Sequence, residues 1–266
     1  MQSLNQNSQI ELSIIIPFKN EEESLPILSE EILDAMSDFN KPWECLWIND
    51  GSDDSSQRVM KHLIEKNPNY RLINLAKNFG QSAALAIGFK YAQGKYLSML
   101  DADLQNDPKD LPKLYSSIIS EGVDLVNGVR IKRQDDLVRK ISSKLANSFR
   151  NALTGSSVTD VGCSIRVFRR ECVQSIPVFK GMHRFLPTLI QLQGYTITET
   201  PVNHRPRQLG VAKYGINNRL WVGIIDTLVM IWMQNRLVFP KVKEIIQKEI
   251  SYKRPPYKEP YREKVH

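Results

Sequence analysis

A regular alternation of short apolar runs and helical patterns is the feature that most constrains the fold of this chain. The apolar runs predict strands at residues 12–17, 43–49, 71–75, 96–100 and 123–126. The segments between them predict helices at residues 22–36, 55–66, 81–92 and 111–120. Continuously apolar strands separated by helices indicate a mostly parallel sheet with helices on both faces. We therefore predict an α/β fold for the first half of the chain.

Polar sequences follow four of the predicted strands. They are PFKNE (17–21), NDGSDDSS (49–56), LDADLQ (100–105) and NGVR (127–130). In open α/β sheets, ligands bind at the edge where the carboxyl ends of the strands meet. We therefore expect these four sequences to form one site.

The acidic run LDADLQNDP (100–108) predicts a metal site. In an extended segment, Asp101, Asp103 and Gln105 would point to the same side. Two carboxylates so close repel each other unless a cation lies between them. Carboxylate and amide oxygens suit Mg²⁺ or Mn²⁺, which also bind substrate phosphates. Asp107, followed by proline, is instead predicted to cap the next helix.

Other features of the sequence narrow the class of protein. Neither GxGxxG nor GxxxxGK[ST] occurs, so a metal-held diphosphate is the simplest remaining interpretation of the site. The net charge of +7 could face nucleic acid, nucleotide or an anionic membrane. No basic motif is interleaved with aromatic residues, and we expect no nucleic-acid partner. Three cysteines without metal-like spacing fit a reduced, cytosolic compartment, and the polar N-terminal residues predict no signal peptide.

The order of the motifs resembles a known family. PFKNEEESL, NDGSDDSS, NLAKNFGQSAALAIGF, MLDADLQNDP and NGVR resemble the inverting GT-A glycosyltransferases of family 2, and within them the polyprenyl-phosphate sugar transferases. The resemblance runs from about residue 12 to residue 214. It implies a Rossmann-like GT-A catalytic domain over residues 1–215. It also implies Mg²⁺- or Mn²⁺-dependent transfer of one sugar from a UDP- or GDP-linked donor to a polyprenyl phosphate.

The resemblance also implies roles for individual residues. The nucleotide-binding positions are Pro17, Lys19, Glu21, Asp50, Gln81, Asp101, Ala102, Asp103 and Lys213. The catalytic positions are Asp103, Arg130, Asp160 and Arg207, and the metal ligands are Asp101, Asp103 and Gln105. The acceptor-phosphate positions are Arg130, Arg139 and Ser143.

Three of these assignments need comment. Lys19 stands where the family usually has an aromatic residue. Two interpretations of NDGS are open: Asp50 contacts a base or ribose edge of the nucleotide, or the motif is only a glycine-containing turn. Asp160 is either a base or an orienter of Arg166.

Two reactions are compatible with the sequence, and they differ in the group that accepts the sugar. A phosphate monoester is already anionic near neutral pH, because its second pKa is roughly 6. A sugar or glycolipid hydroxyl is the alternative acceptor, and it would require a strong base. The acceptor motif of processive relatives, Q-x-x-R-W, does not occur, which argues against a polymerase.

The C-terminal part predicts contact with a membrane surface. Residues 216–250 are predicted as amphipathic interface helices and residues 251–266 as a flexible basic tail. Residues 221–233 would make roughly 20 Å of helix against a bilayer core of about 30 Å. A polar stripe of Arg219, Asp226, Thr227 and Gln234 fits either a buried helix or an in-plane interfacial one. The basic tail favours the interfacial helix, and we predict peripheral attachment to the cytoplasmic face.

Overall fold

A single seven-stranded sheet organises the chain. The computed structural model describes residues 9–131, 158–206, 225 and 227–240. The strands are β1 (Leu12–Phe18), β2 (Trp43–Asn49), β3 (Tyr70–Asn74), β4 (Tyr96–Met99), β5 (Leu125–Arg130), β6 (Arg166–Arg169) and β7 (Ile197–Val202). The helices are α1 (Ser24–Ala35), α2 (Ser56–Lys66), α3 (Gln81–Tyr91), α4 (Asp110–Glu121) and α5 (Met182–Leu192), with a 3₁₀ turn at Arg170–Val173.

The strand order is β3-β2-β1-β4-β6-β5-β7. Strand β6 runs antiparallel to both of its neighbours, β4 and β5, and the other neighbouring pairs are parallel. The prediction of a mostly parallel α/β sheet with flanking helices is therefore confirmed. The sequence patterns did not predict β6 or its insertion between two parallel strands.

Helices cover both faces of the sheet, and the apolar side chains divide into two cores. In β1, Ile14 and Ile16 belong to one core and Ile15 to the other, as the alternation of side chains along a strand requires. The first core includes residues of α1, α2 and α4, and the second includes residues of α3 and α5. Close packing of α3 depends on Gly88, since a Cβ there would overlap the side chain of Ile15.

Strand β5 differs from its prediction. It covers Leu125–Arg130 rather than residues 123–126, so NGVR lies inside the strand and does not follow it. Asn127 is fully buried and donates to the carbonyl of Asp160 (3.1 Å) and to Glu199 Oε1 (3.2 Å). A polar residue can occupy a strand core when distant residues supply such partners, and periodicity does not reveal them.

Residues 227–234 form a further helical segment against α5. Met230 is 1% exposed and packs with Met182, Phe185 and Leu189. Thr227, assigned by the sequence to a polar stripe, is buried on the same inner side. Within the part of the chain that the structure describes, no helix has both the length and the apolar character needed to span a bilayer.

Candidate active site

The carboxyl ends of β1, β2, β4 and β5 lie on one edge of the sheet, because these four strands run in the same direction. The predicted polar sequences therefore meet at this edge. Pro17 is buried within β1. Lys19 and Glu21 follow β1 and are partly exposed, and Glu21 N–H donates to Ser56 Oγ (2.8 Å).

The acidic run after β4 is a turn, and the expectation of an extended segment is wrong. Strand β4 ends at Met99, and Leu104 has a left-handed backbone with φ of 61°. Asp103 Oδ1 accepts the N–H of Gln105 (3.2 Å), a local bond that favours a turn over a strand.

Burial nevertheless alternates along this turn. Ala102 and Leu104 are buried, whereas Asp101, Asp103 and Gln105 are partly exposed. These three residues therefore offer two carboxylates and an amide at the surface of one turn. Such a set of oxygen donors fits a hard divalent cation that completes its coordination with water and phosphate. Among the described residues, no group of three or more histidine, cysteine and acidic side chains forms a metal cluster.

Asp50 connects the end of β2 to the start of α3. Its carboxylate accepts the N–H of Phe79 (2.7 Å) and the N–H of Gly80 (2.9 Å). The next residue, Gln81, donates from Nε2 to Asp101 Oδ1 (2.8 Å). Asp50 thus holds the loop that places Gln81 against the acidic turn. This structural role of Asp50 cannot be read from the local sequence, because it depends on a loop about thirty residues away.

Arg130 and Asp160 form a two-point ion pair at the end of β5. Arg130 Nε donates to Asp160 Oδ2 and Nη2 donates to Oδ1, both at 2.7 Å. The two side chains are 15% and 8% exposed. Asp160 therefore orients Arg130, and the expectation that it would orient Arg166 is wrong. A carboxylate engaged in this way is also poorly placed to accept a proton.

Glu199 anchors the turn that carries Asp160. Its Oε1 accepts the N–H of Thr159 (2.9 Å) and the Nδ2–H of Asn127 (3.2 Å), and its Oε2 accepts the hydroxyl of Thr159 (2.6 Å). The role of Glu199 is not predicted by the sequence, because nothing in TITETP distinguishes an anchoring glutamate from an exposed one.

His183 lies beside the start of α3. Its Nδ1 is 2.9 Å from Ser82 Oγ, and the same hydroxyl accepts the N–H of Gly181 (3.1 Å). Burial, assisted by the charges of Arg184 and Arg166, lowers the pKa of His183 to about 4. His183 is therefore neutral at pH 7 and joins α3 to α5 without adding charge to the site.

Four predicted site residues lie outside the described residues: Arg139, Ser143, Arg207 and Lys213. The predicted basic tail, 251–266, and most of the predicted interface segment, 216–250, also lie outside them. The functional roles of all the site residues remain predictions. The structure places Glu21, Asp50, Asp101, Asp103 and Arg130 at one edge of the sheet.

Comparison with known proteins identifies the family. Residues 13–176 match the model for glycosyl transferase family 2. Dodecaprenyl-phosphate galacturonate synthase of Rhizobium johnstonii is 36% identical over 230 residues, which are 85% of this chain and 68% of the relative. Undecaprenyl-phosphate 4-deoxy-4-formamido-L-arabinose transferase of Salmonella choleraesuis is 39% identical over 204 residues, which are 76% of this chain and 62% of the relative. The chain therefore spans about two thirds of the length of these relatives.

The fold is also found in a solved glycosyltransferase. Glucosyl-3-phosphoglycerate synthase from Mycobacterium tuberculosis, in complex with Mg²⁺ and UDP, superposes with a TM-score of 0.63 at 14% identity. The match covers 86% of this chain and 81% of that one. The family match covers β1 to β6 and includes the acidic turn and Asp160. The chain therefore belongs to glycosyl transferase family 2.

Proposed function

We propose that this protein transfers a single sugar, with inversion, from a nucleoside diphosphate sugar to a polyprenyl phosphate. The observation that carries the proposal is the pairing of an acidic turn with a fixed cation at one edge of the sheet. The acidic turn suits a metal-bound diphosphate, and Arg130, held by Asp160, suits a second phosphate. The names of the two relatives, both polyprenyl-phosphate enzymes, support the same acceptor class.

The donor side is assigned to the acidic turn and the residues around it. Asp101, Asp103 and Gln105 would hold Mg²⁺ or Mn²⁺, and the metal would stabilise the departing diphosphate as a Lewis acid. Gln81 orients Asp101 through its hydrogen bond of 2.8 Å. Asp50 keeps the start of α3 in place for that contact. Lys19 and Glu21, at the end of β1, lie where the nucleoside would enter.

The acceptor side is assigned to Arg130. A phosphate acceptor brings a second anion next to the diphosphate, which costs several kcal/mol unless cations offset it. Arg130 provides such a cation in a geometry that its ion pair with Asp160 fixes before the acceptor arrives. The acceptor oxygen is already anionic, so the reaction needs no strong base. This favours phosphate over a hydroxyl acceptor, because Asp160 is occupied by Arg130.

A lipid-extraction assay tests the proposal. The protein is incubated with Mg²⁺, undecaprenyl phosphate and a panel of radiolabelled UDP- and GDP-sugars, and the lipid fraction is extracted. We expect label in an acid-labile lipid with one donor of the panel. Label found only in a glycan or glycolipid would favour the hydroxyl acceptor. No transfer from any donor would contradict the proposal.

We also propose that the protein binds the cytoplasmic face of the membrane peripherally, through residues 225–234. Ile225, Leu228 and Trp232 are 57%, 60% and 62% exposed, although Met230 of the same segment is buried. Arg236 lies over the Trp232 ring at 5.7 Å, which places a cation beside the exposed apolar side chains. Apolar side chains flanked by cations are typical of surfaces that enter the interface of anionic bilayers.

Replacing Leu228 and Trp232 together by glutamine is expected to weaken binding to anionic vesicles by about 100-fold or more. Each side chain contributes on the order of 1.5–3 kcal/mol when it leaves water, and the partition coefficient falls accordingly. Co-sedimentation with phosphatidylglycerol-containing vesicles measures the change. Ile119→Gln is the matched control, since Ile119 is 48% exposed on α4, on the opposite face of the sheet. Unchanged sedimentation of the double variant would contradict this surface.

A further inference from the structure

Arg166 is a buried cation at the edge of the sheet that carries the active site. It is the first residue of β6 and is 1% exposed. Its Cα pairs with Met99 of β4 and with Asn127 of β5, so it lies in the sheet beside the last residue of β4, two residues before Asp101. A buried arginine is normally matched by a carboxylate in direct contact. Arg166 Nε and Nη1, however, hydrogen-bond to no other atom of the described residues.

The third nitrogen of Arg166 holds the turn that carries Asp160. Nη2 donates to the carbonyl oxygens of Cys163 and Val161. Asp160, in the same turn, accepts two hydrogen bonds from Arg130. Arg166 therefore supports the acceptor side of the site through a backbone contact rather than through an ion pair.

The charge of Arg166 also acts on the donor side. Burial lowers its pKa to about 10, and the guanidinium therefore stays cationic at pH 7. The carboxylates of Asp101 and Asp160 favour this charge, and Arg130 opposes it. A fixed positive charge thus lies within electrostatic range of one predicted metal ligand and of the pair that holds the acceptor arginine.

We propose that Arg166 is a positioning residue that makes binding of the divalent metal depend on binding of the diphosphate. The inference rests on the proposed function, since it assumes that the acidic turn holds a metal and a diphosphate. Before the donor enters, Arg166 offsets the charge of Asp101 and repels a cation that approaches the turn. After the donor enters, the same charge offsets the diphosphate. Metal and nucleotide are therefore expected to bind as a pair, each raising the affinity for the other.

Replacing Arg166 by methionine tests this coupling. We expect the variant to bind Mn²⁺ alone about tenfold more tightly, and to bind UDP or GDP in the presence of Mn²⁺ about tenfold more weakly. The substitution removes a buried charge but also the donor for the carbonyl oxygens of Val161 and Cys163, so a thermal unfolding curve first establishes that the variant is folded. Isothermal titration of Mn²⁺, and of each nucleotide with Mn²⁺ present, measures both affinities without using catalytic activity.

Three further variants separate this role from a structural one. Arg166→Lys keeps the charge, and its affinities for Mn²⁺ alone and for the nucleotide with Mn²⁺ present are expected to stay close to those of the wild-type protein. Arg166→Gln keeps an N–H donor for the turn and replaces the methionine variant if that variant fails to fold. Arg169→Met makes the same substitution at the other end of β6, where Arg169 pairs with Asp124 (3.1 Å), and is expected to change stability but neither affinity.

The outcomes distinguish the inference from the proposed function. Opposite shifts of the metal and nucleotide affinities support the inference, even if no transfer to polyprenyl phosphate is found. If both affinities fall together, or neither changes, in a folded neutral variant, the coupling role is refuted. In that case the transfer assay with the wild-type protein still decides the proposed function.

Discussion

Asparagine in place of Asp103 is expected to lower the rate of sugar transfer by about 100-fold or more, with little change in stability. The loss follows from removing one carboxylate of the predicted metal site, where charge placed for the departing diphosphate is typically worth 10²–10³ in rate. The fold is expected to survive because asparagine keeps an oxygen that can accept the N–H of Gln105, as Asp103 does. Initial rates of lipid labelling across a Mn²⁺ titration, together with a thermal unfolding curve, measure both effects.

Asp34→Asn is the matched control for this substitution. Asp34 forms an exposed ion pair with Lys109 (2.9 Å), and the two side chains are 64% and 66% exposed. Such pairs contribute little to stability, so neither the rate nor the unfolding temperature is expected to change. Full activity in a folded Asp103→Asn variant would show that Asp103 does not hold the metal.

Asparagine in place of Asp160 is expected to reduce both stability and transfer. The substitution removes the two-point ion pair between Asp160 and Arg130, whose side chains are 8% and 15% exposed. Removing one partner of a buried pair typically costs about 3–5 kcal/mol. Because these groups retain some exposure, we expect the free energy of unfolding to fall by about 3 kcal/mol or less. Chemical denaturation measures the loss, and the lipid-labelling assay gives the accompanying fall in rate.

A double variant shows whether Asp160 acts through Arg130. Replacing Arg130 by methionine in the Asp160→Asn background removes the arginine charge that Asp160 offsets in the native protein, and is expected to recover part of the lost stability. It is not expected to recover transfer, because the acceptor phosphate then lacks its cation. If Asp160→Asn lost transfer with no loss of stability, and Arg130→Met kept transfer, Asp160 would be the base of the alternative reaction.

The elements and the location of the site were largely predictable from the sequence. Residues 43–49 were predicted as a strand with the observed bounds of β2, and the four predicted helices agree with α1 to α4 within a few residues. The acidic run was correctly placed at the end of β4, at the edge where the ligand site was expected. Apolar periodicity and polar residues at strand ends are local patterns within about ten residues. They can therefore be recognised from the sequence alone.

The partners of the charged side chains were not predictable in this way. The sequence suggests Arg166 as a partner of Asp160, whereas in the structure Asp160 pairs with Arg130, thirty residues earlier in the chain. The polar stripe that contains Thr227 fits either a buried or an interfacial helix, and only the structure shows that Thr227 is buried while Leu228 and Trp232 are exposed. In both cases the outcome depends on which distant surface packs against the residue, and local periodicity is the same for either arrangement.

The sequence by itself therefore determined an α/β sheet with an acidic turn at one edge, and the order of motifs that is typical of family 2. Only the tertiary structure decided which charged side chains lie next to that turn and which of them pair with each other. Strand β6 lies between β4 and β5 in the antiparallel direction, which brings Arg166 beside Met99, at the start of the acidic turn, and Asp160 to Arg130. Pairing of this kind requires closing the chain between residue 130 and residue 166. Its free energy comes from long-range contacts that no local segment encodes.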